Sequence, residues 1–334
     1  MPLWIALVAF VASVGVMSVA SEQLTRVLER FGARFRISEG LLGIVTALGA
    51  DAPEISSAFS AVMAGHHEIG VGVVLGSNIF NLAALLGLSA VIAGQVTVGR
   101  QTLWFNGGTS LLVSAVALAL VLQCVSAAVS LVLLGTALVP YVTLLAMHPG
   151  QLARLRLPAA PTRFLEAAIG QAGSVPVRER AVGHRTVARD AAVFAVSLML
   201  VVGSSAEAVH SAIALGAHWG VSQGVIGTLV LAALTSIPNV VAAVHLAREG
   251  RGAAVVSESL NSNTLNILAG LCLPALVIGF TAASPLIVFA SLWLIGMKLV
   301  ALAAASHRNG LRRLGGLLLI ALYLVFAVVV IVWQ

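Results

Sequence analysis

The chain has 334 residues, of which 60% are hydrophobic and only 9% charged, with a mean hydropathy of +1.06. Those values exclude an ordinary water-soluble domain. A net charge of +6 and a pI near 10.6 are compatible with nucleic-acid binding on their own, but the placement of the charges excludes it.

Apolar runs recur from end to end. Each is long enough to cross a hydrocarbon core of roughly 30 Å as a helix, and together they predict ten spans: 3–24, 38–64, 69–95, 102–122, 125–147, 190–214, 221–247, 253–279, 283–305 and 311–333. Apolar and polar residues do not alternate within them, which excludes the strands of a membrane barrel. Ser18-Val19-Ala20 resembles a signal-peptide cleavage site, but no basic segment precedes the first run, so it is read as a span.

Seventeen of the eighteen Lys and Arg residues fall in alternate connections. Arg26, Arg30, Arg34 and Arg36 lie between spans 1 and 2, and Arg100 lies between 3 and 4. Arg154, Arg156, Arg163, Arg178, Arg180, Arg185 and Arg189 separate spans 5 and 6; Arg248 and Arg251 follow span 7; Arg308, Arg312 and Arg313 follow span 9. Only Lys298 is inside a span. This one-sidedness predicts a multi-pass protein of the cell (plasma or inner) membrane, with basic loops in the cytoplasm and both termini outside. The basic charge therefore orients the chain in a lipid bilayer and needs no nucleic-acid partner. Cys124 and Cys272 are expected to be buried small hydrophobes, since two cysteines in apolar sequence give no disulfide framework.

The least apolar stretch, 148–189, contains Pro158, Pro161 and Pro176 and reads as a cytoplasmic linker with a short interfacial helix near Arg163–Ala168. It divides the chain into a first five-span unit, 1–147, and a second, 190–334. Self-comparison pairs the two units. Ser38, Gly40 and Gly43 match Ser222, Gly224 and Gly227 at an offset of 184. Ala47, Pro53, Ala58, Gly65, Ser77, Asn78 and Asn81 match Ala232, Pro238, Ala243, Gly250, Ser262, Asn263 and Asn266 at an offset of 185. The repeated helix pairs cover about 38–95 and 221–279. Five spans is an odd number, so matched helices run in opposite directions. The expected fold is all-α, with ten transmembrane helices as two inverted five-helix repeats, an architecture typical of secondary transporters.

Pro53 and Pro238 take matching mid-span positions, where a missing N–H frees an upstream carbonyl and predicts a break in each half. The first break reads Gly49-Ala50-Asp51-Ala52-Pro53-Glu54. Two carboxylates at membrane depth need compensation, and a bound cation supplies it; pairing with Lys298, or permanent protonation, is the alternative. The second break reads Thr235-Ser236-Ile237-Pro238-Asn239 and offers neutral oxygens that hard cations accept. Ser77 and Asn81 share a face at i,i+4, as do Ser262 and Asn266, and helix packing is their alternative role. Asn78 and Asn263 are further candidates. Glu258 stands one turn before Ser262, and Glu22 and Glu207 lie near span ends; each reads equally well as a solvated acid. His66-His67-Glu68 is expected to be a solvated external turn, and His210 and His245 are unassigned.

These motifs resemble the α repeats of the calcium/cation antiporter superfamily, and of its Na+/Ca2+ exchanger family in particular. That family carries a Gly-Thr-Ser-x-Pro-Glu break followed by a Gly-Ser-Asn-x-x-Asn helix. Gly49–Glu54 with Gly76–Asn81 is similar to the first repeat, and Leu234–Asn239 with Asn261–Asn266 to the second. The resemblance implies Glu54 as central ligand, surrounded by Asn81, Ser77 and the Ala47 carbonyl, and by Thr235, Ser236, Asn239, Ser262, Asn266 and the Ala232 carbonyl. Two departures stand out. Asn239 and Asn266 replace residues that are usually acidic, and Asp51 takes a place usually held by serine.

The expectation is therefore an antiporter, not an enzyme, that exchanges Ca2+ for Na+ or H+ by alternating access and needs no cofactor. An exchanger of Na+ and H+ with little Ca2+ transport stays open as an alternative. So do an ion sensor that moves nothing and an intramembrane aspartyl protease using Asp51, whose only available partner is Asp190. Oligomeric state is not legible.

Overall fold

A computed structural model describes residues 2–35, 37–147, 158–172, 187–279, 283–306 and 309–333. Arg36, Arg154, Arg156, Arg178, Arg180, Arg185 and Arg308, used above to orient the chain, and Pro176 of the linker lie outside the described residues.

The first half contains α1 (Leu3–Arg34), α2 (Glu39–Ala50), α3 (Ala52–Met63), α4 (His67–Ala93), β1 (Gln95–Thr97), α5 (Arg100–Val121) and α6 (Ala127–Ala146). The amphipathic helix α7 (Ala159–Ala172) falls where the linker helix is expected. The second half contains α8 (Val187–Trp219), α9 (Gln223–Arg248), α10 (Gly252–Ile278), α11 (Pro285–Ser306), β2 (Gly310–Arg312) and α12 (Arg313–Val332). Among the described residues nine helices are long and apolar enough to cross a membrane. α2 and α3 have 12 residues each, about 18 Å apiece against a core of roughly 30 Å, so they make the tenth crossing jointly. The chain is an integral membrane protein of ten spans in two inverted repeats.

The duplication extends to the backbone. Ser38 caps α2 by accepting from Leu41 N at 3.3 Å, and Ser222 caps α9 by accepting from Val225 N at 3.4 Å. Gly65 and Gly250 turn the chain at φ +83° and +75°, a conformation that a side chain disfavours. α4 is wound as a π-helix over Leu82–Leu88 and α10 over Asn266–Cys272; such insertions locally widen a helix and are frequent at functional sites.

The halves differ at their prolines. The first breaks as expected: Asp51, at φ −85° and ψ −2°, ends α2, and Pro53 sits in the first turn of α3. The second does not break at Pro238, which lies inside continuous α-helix. The irregularity comes earlier, as a π segment over Ile226–Leu231.

α4 forms the centre, with 94% of its apolar stretch buried, whereas α1 and α8 are 28% buried and pack side by side along the outside. Glycines allow backbone contact between the halves. A Cβ on Gly76 would lie 2.2 Å from the Thr228 carbonyl oxygen, and one on Gly227 would lie 2.6 Å from that of Ile69. Small residues at such crossings let helices gain dispersion contact in lipid, where no hydrophobic force joins them.

A two-stranded antiparallel ribbon, Gln95↔Arg312 to Thr97↔Gly310, was not expected from the sequence. It joins the connection after α4 to the one after α11. The turn before α10 abuts it, since a Cβ on Gly252 would meet Thr97 N at 2.3 Å. Thr102 Oγ1 donates to Ala168 O of α7 at 3.2 Å, and Arg30 Nε to Asp190 Oδ1 at 3.0 Å. These contacts draw the arginine-bearing connections together. Cys272 is buried as expected, but Cys124 is exposed because it falls in the turn between α5 and α6.

Candidate functional site

The break between α2 and α3 sets two acids side by side. Pro53 has no N–H, so the Gly49 carbonyl loses its normal helical partner. Ser21 of α1 replaces it, donating to Gly49 O at 3.0 Å and also facing Ala50 O at 3.3 Å. Asp51 ends α2 with its N–H on the Ala47 carbonyl at 2.8 Å. Glu54 lies in the first turn of α3, where the helix dipole favours negative charge. Asp51 is 1% exposed and Glu54 0%.

The second half supplies donors to both acids. Ser236 Oγ donates to Glu54 Oε1 at 2.9 Å, and Ser262 Oγ to Asp51 Oδ1 at 2.7 Å. Asn239 Nδ2 reaches both, at 3.0 Å from Asp51 Oδ1 and 3.3 Å from Glu54 Oε1. Asn81 of α4 joins this group by donating to Ser262 Oγ at 3.2 Å. Among the described residues each acid thus has one oxygen satisfied and one without a partner, Asp51 Oδ2 and Glu54 Oε2. Asn81 Oδ1 and Asn266 Oδ1 are also buried and unpartnered. Buried polar atoms are rarely left so, and every one of these four is an acceptor. What such a set fits is a cation.

Two nearby motif hydroxyls also have their hydrogens committed to main-chain carbonyls. Ser77 Oγ donates its hydrogen to Val73 O at 2.6 Å, and Thr235 Oγ1 to Leu231 O at 2.9 Å; both then keep lone pairs for a further partner. The Ala232 carbonyl lies 3.3 Å from Thr235 Oγ1.

Asn78 and Asn263 do something else. Asn78 Nδ2 donates to Asn263 O at 3.0 Å and Asn263 Nδ2 to Asn78 O at 3.2 Å, a reciprocal clasp between repeat-equivalent residues that ties α4 to α10. Asn266 Nδ2 adds to it by donating to Asn78 Oδ1 at 3.3 Å.

The remaining candidates are dispersed. Glu22 is exposed and paired with Arg26 one turn on, and Glu207 is exposed and accepts from Ser211 at 3.0 Å. Glu258 is half-buried, with Oε2 unpartnered, in electrostatic reach of Asp51 and Arg251. Glu68 is not simply solvated, since Ser284 Oγ donates to it at 2.7 Å and both line a cavity with His67. Lys298 is fully buried but does not pair with the acids. Its ammonium donates to Ser110 Oγ and Ser114 Oγ at 2.7 Å each and to Ser110 O at 3.1 Å. Asp190 is held by Arg30 and offers Asp51 no catalytic partner.

Sequence reasoning missed Ser21 and the buried group in which the Tyr141 hydroxyl bridges the side chains of Asn106 and Asn261. Their partners are distant in the chain, and a serine in an apolar run carries no local mark.

Inverted repeats that enclose paired carboxylates and acceptor oxygens from both halves define a membrane transporter of cations, not an enzyme. The family model described as "Sodium/calcium exchanger protein" matches residues 5–148 and 190–332. The chain belongs to that family. It is similar to the inner membrane protein YrbG of Escherichia coli, with 26% identity over 247 residues, covering 73% of this chain and 71% of that one. Sodium/potassium/calcium exchanger 2 of Gallus gallus is 34% identical over 123 residues, covering 34% of this chain and only 19% of the relative. Two solved structures share the fold. The sodium-calcium exchanger NCX_Mj has a TM-score of 0.60 and 21% identity over 97% of this chain and 98% of its own. YfkE has a TM-score of 0.65 and 18% identity over 97% and 92%.

Proposed function

We propose that this protein is an alternating-access antiporter that carries Ca2+ across the inner or plasma membrane against Na+ or H+. Residues 1–147 and 190–334 act as the two repeats and 148–189 as a cytoplasmic linker, with the termini outside. The cation is held by Glu54 and Asp51, with oxygens from Ser77, Asn81, Thr235, Ser236, Asn239, Ser262 and Asn266 and the carbonyls of Ala47 and Ala232 around it. The observation that carries this reading is the set of unpartnered acceptors, Asp51 Oδ2, Glu54 Oε2, Asn81 Oδ1 and Asn266 Oδ1, drawn from both halves.

Exchange, rather than one-way passage, follows from charge. An empty site with two ionised carboxylates is costly to enclose in a membrane, so the carrier crosses when loaded. One Ca2+, two Na+ or two H+ neutralise it equally. A Na+/H+ exchanger with little Ca2+ transport is the second reading. It is favoured by Asn239, which turns an amide nitrogen rather than a carboxylate toward the acids and so lowers the charge available to Ca2+.

The test is ion flux in proteoliposomes with Ca2+, Na+ and H+ gradients imposed one at a time. Ca2+ movement driven by either of the other gradients supports the first reading. Na+ driven by H+ without Ca2+ supports the second, and no flux under any gradient refutes both.

A further inference from the structure

The hydroxyl of Ser21 ties α1 to the break between α2 and α3. Ser21 belongs to α1, is 1% exposed, and donates to the carbonyl that Pro53 leaves without a partner. Its second contact, Ala50 O, belongs to the residue directly before Asp51. The repeat-equivalent hydroxyl, Ser205 of α8 at an offset of 184, is 0% exposed but donates elsewhere, to Met17 Sδ at 3.1 Å. Among the described residues, this tie between a peripheral helix and a helix break is found in the first half only.

We propose that Ser21 is a positioning residue that sets how many oxygens the ion site offers. While α1 is seated, its hydroxyl holds the Gly49 and Ala50 carbonyls away from the cation. When α1 moves, these two oxygens are released beside Asp51 and become ligands, which hard cations accept readily. Without a cation the release strands the buried Gly49 carbonyl and the half-buried Ala50 carbonyl, an unfavourable state, so α1 leaves its seat when the site is loaded. The inference rests on the antiport reading above and adds to it the coupling between ion and helix.

The test compares wild type with Ser21→Ala, Ser21→Thr and Ser205→Ala, each as the full chain in nanodiscs and proteoliposomes. Hydrogen–deuterium exchange over residues 47–57 reads the tie without any transport. Ser21→Ala raises it about tenfold, while Ser21→Thr, which keeps the hydroxyl, and Ser205→Ala stay near wild type. Equilibrium binding of 45Ca2+ reads the consequence. With the carbonyls freed permanently, Ser21→Ala binds Ca2+ about threefold to tenfold more tightly and turns over more slowly, and Ser21→Thr restores both. A purely structural hydroxyl would give the opposite sign, weaker binding, and that result overturns the proposal. Wild-type exchange rates at residues 47–57 in Ser21→Ala also overturn it. If wild type binds no Ca2+, the antiport reading for Ca2+ fails, while the hydrogen-exchange comparison still upholds or overturns the tie.

Discussion

Replacing Asn239 with glutamate restores the acid usual at this place in the family and perturbs the site in a calculable direction. The Asn239 amide donates to one oxygen of each carboxylate, at 3.0 and 3.3 Å, and the residue is 3% exposed. Glutamate removes both bonds, each worth about 1.5–3 kcal/mol when the acceptor is charged. It also adds a third negative charge roughly 4 Å from the other two, about 4 kcal/mol of repulsion per pair at an effective dielectric of 20. The ion-free protein is destabilised by several kcal/mol or takes up a proton, and a divalent cation relieves both penalties. Ca2+ affinity in Asn239→Glu, measured by calorimetry in nanodiscs, therefore rises at least about tenfold, or roughly 1.4 kcal/mol. Its melting temperature gains more from Ca2+ than that of wild type. Affinity within twofold of wild type, with an unchanged Ca2+-dependent melting shift, would refute the claim that Asn239 faces the ion.

Other outcomes follow from single contacts. Asp51→Asn keeps the fold but slows exchange and flattens its loss on acidification, because protons and metal ions compete for the same carboxylate oxygens; an unchanged pH profile removes Asp51 from the site. Lys298→Met leaves Ca2+ binding within twofold of wild type, since among the described residues the ammonium donates its hydrogen bonds to α5 and not to the acids, and abolished binding would contradict that separation. Gly76→Ala forces a methyl group to 2.2 Å from a main-chain oxygen and destabilises the fold by about 3 kcal/mol, which thermal unfolding in nanodiscs checks. Cys124 is exposed between α5 and α6 and is expected outside the cell. An impermeant maleimide labels it on intact cells, whereas a cysteine at Glu166 in α7 needs permeabilised cells; the reverse pattern inverts the orientation.

Much of the architecture was legible because membranes impose it. Span length, arginine placement and the offsets of 184 and 185 are properties of the chain alone, and they give ten inverted helices. Pro53 announced the first break because losing a backbone donor is a local event. Pro238 looked identical in sequence but lies in unbroken helix, since the π turn over Ile226–Leu231 takes up the irregularity about two turns earlier. Asn78 and Asn263 were read with the ion ligands because they sit in the same motif; only the tertiary arrangement reveals that they hold each other's main chain. Lys298 resembled a counter-ion for the acids until its acceptors on α5 were known. The motifs grouped Glu54 and Asn239 around one ion, but that the Asn239 amide donates to both Asp51 and Glu54 depends on side-chain geometry that only the fold supplies.

The central claim is that Glu54 holds the transported cation. The most direct test is the flux of 45Ca2+ in proteoliposomes under an imposed Na+ or H+ gradient, comparing wild type with Glu54→Gln after melting curves show that both are folded. Gradient-driven Ca2+ uptake by wild type and none by Glu54→Gln is the predicted result. Uptake by Glu54→Gln at the wild-type rate would contradict the account.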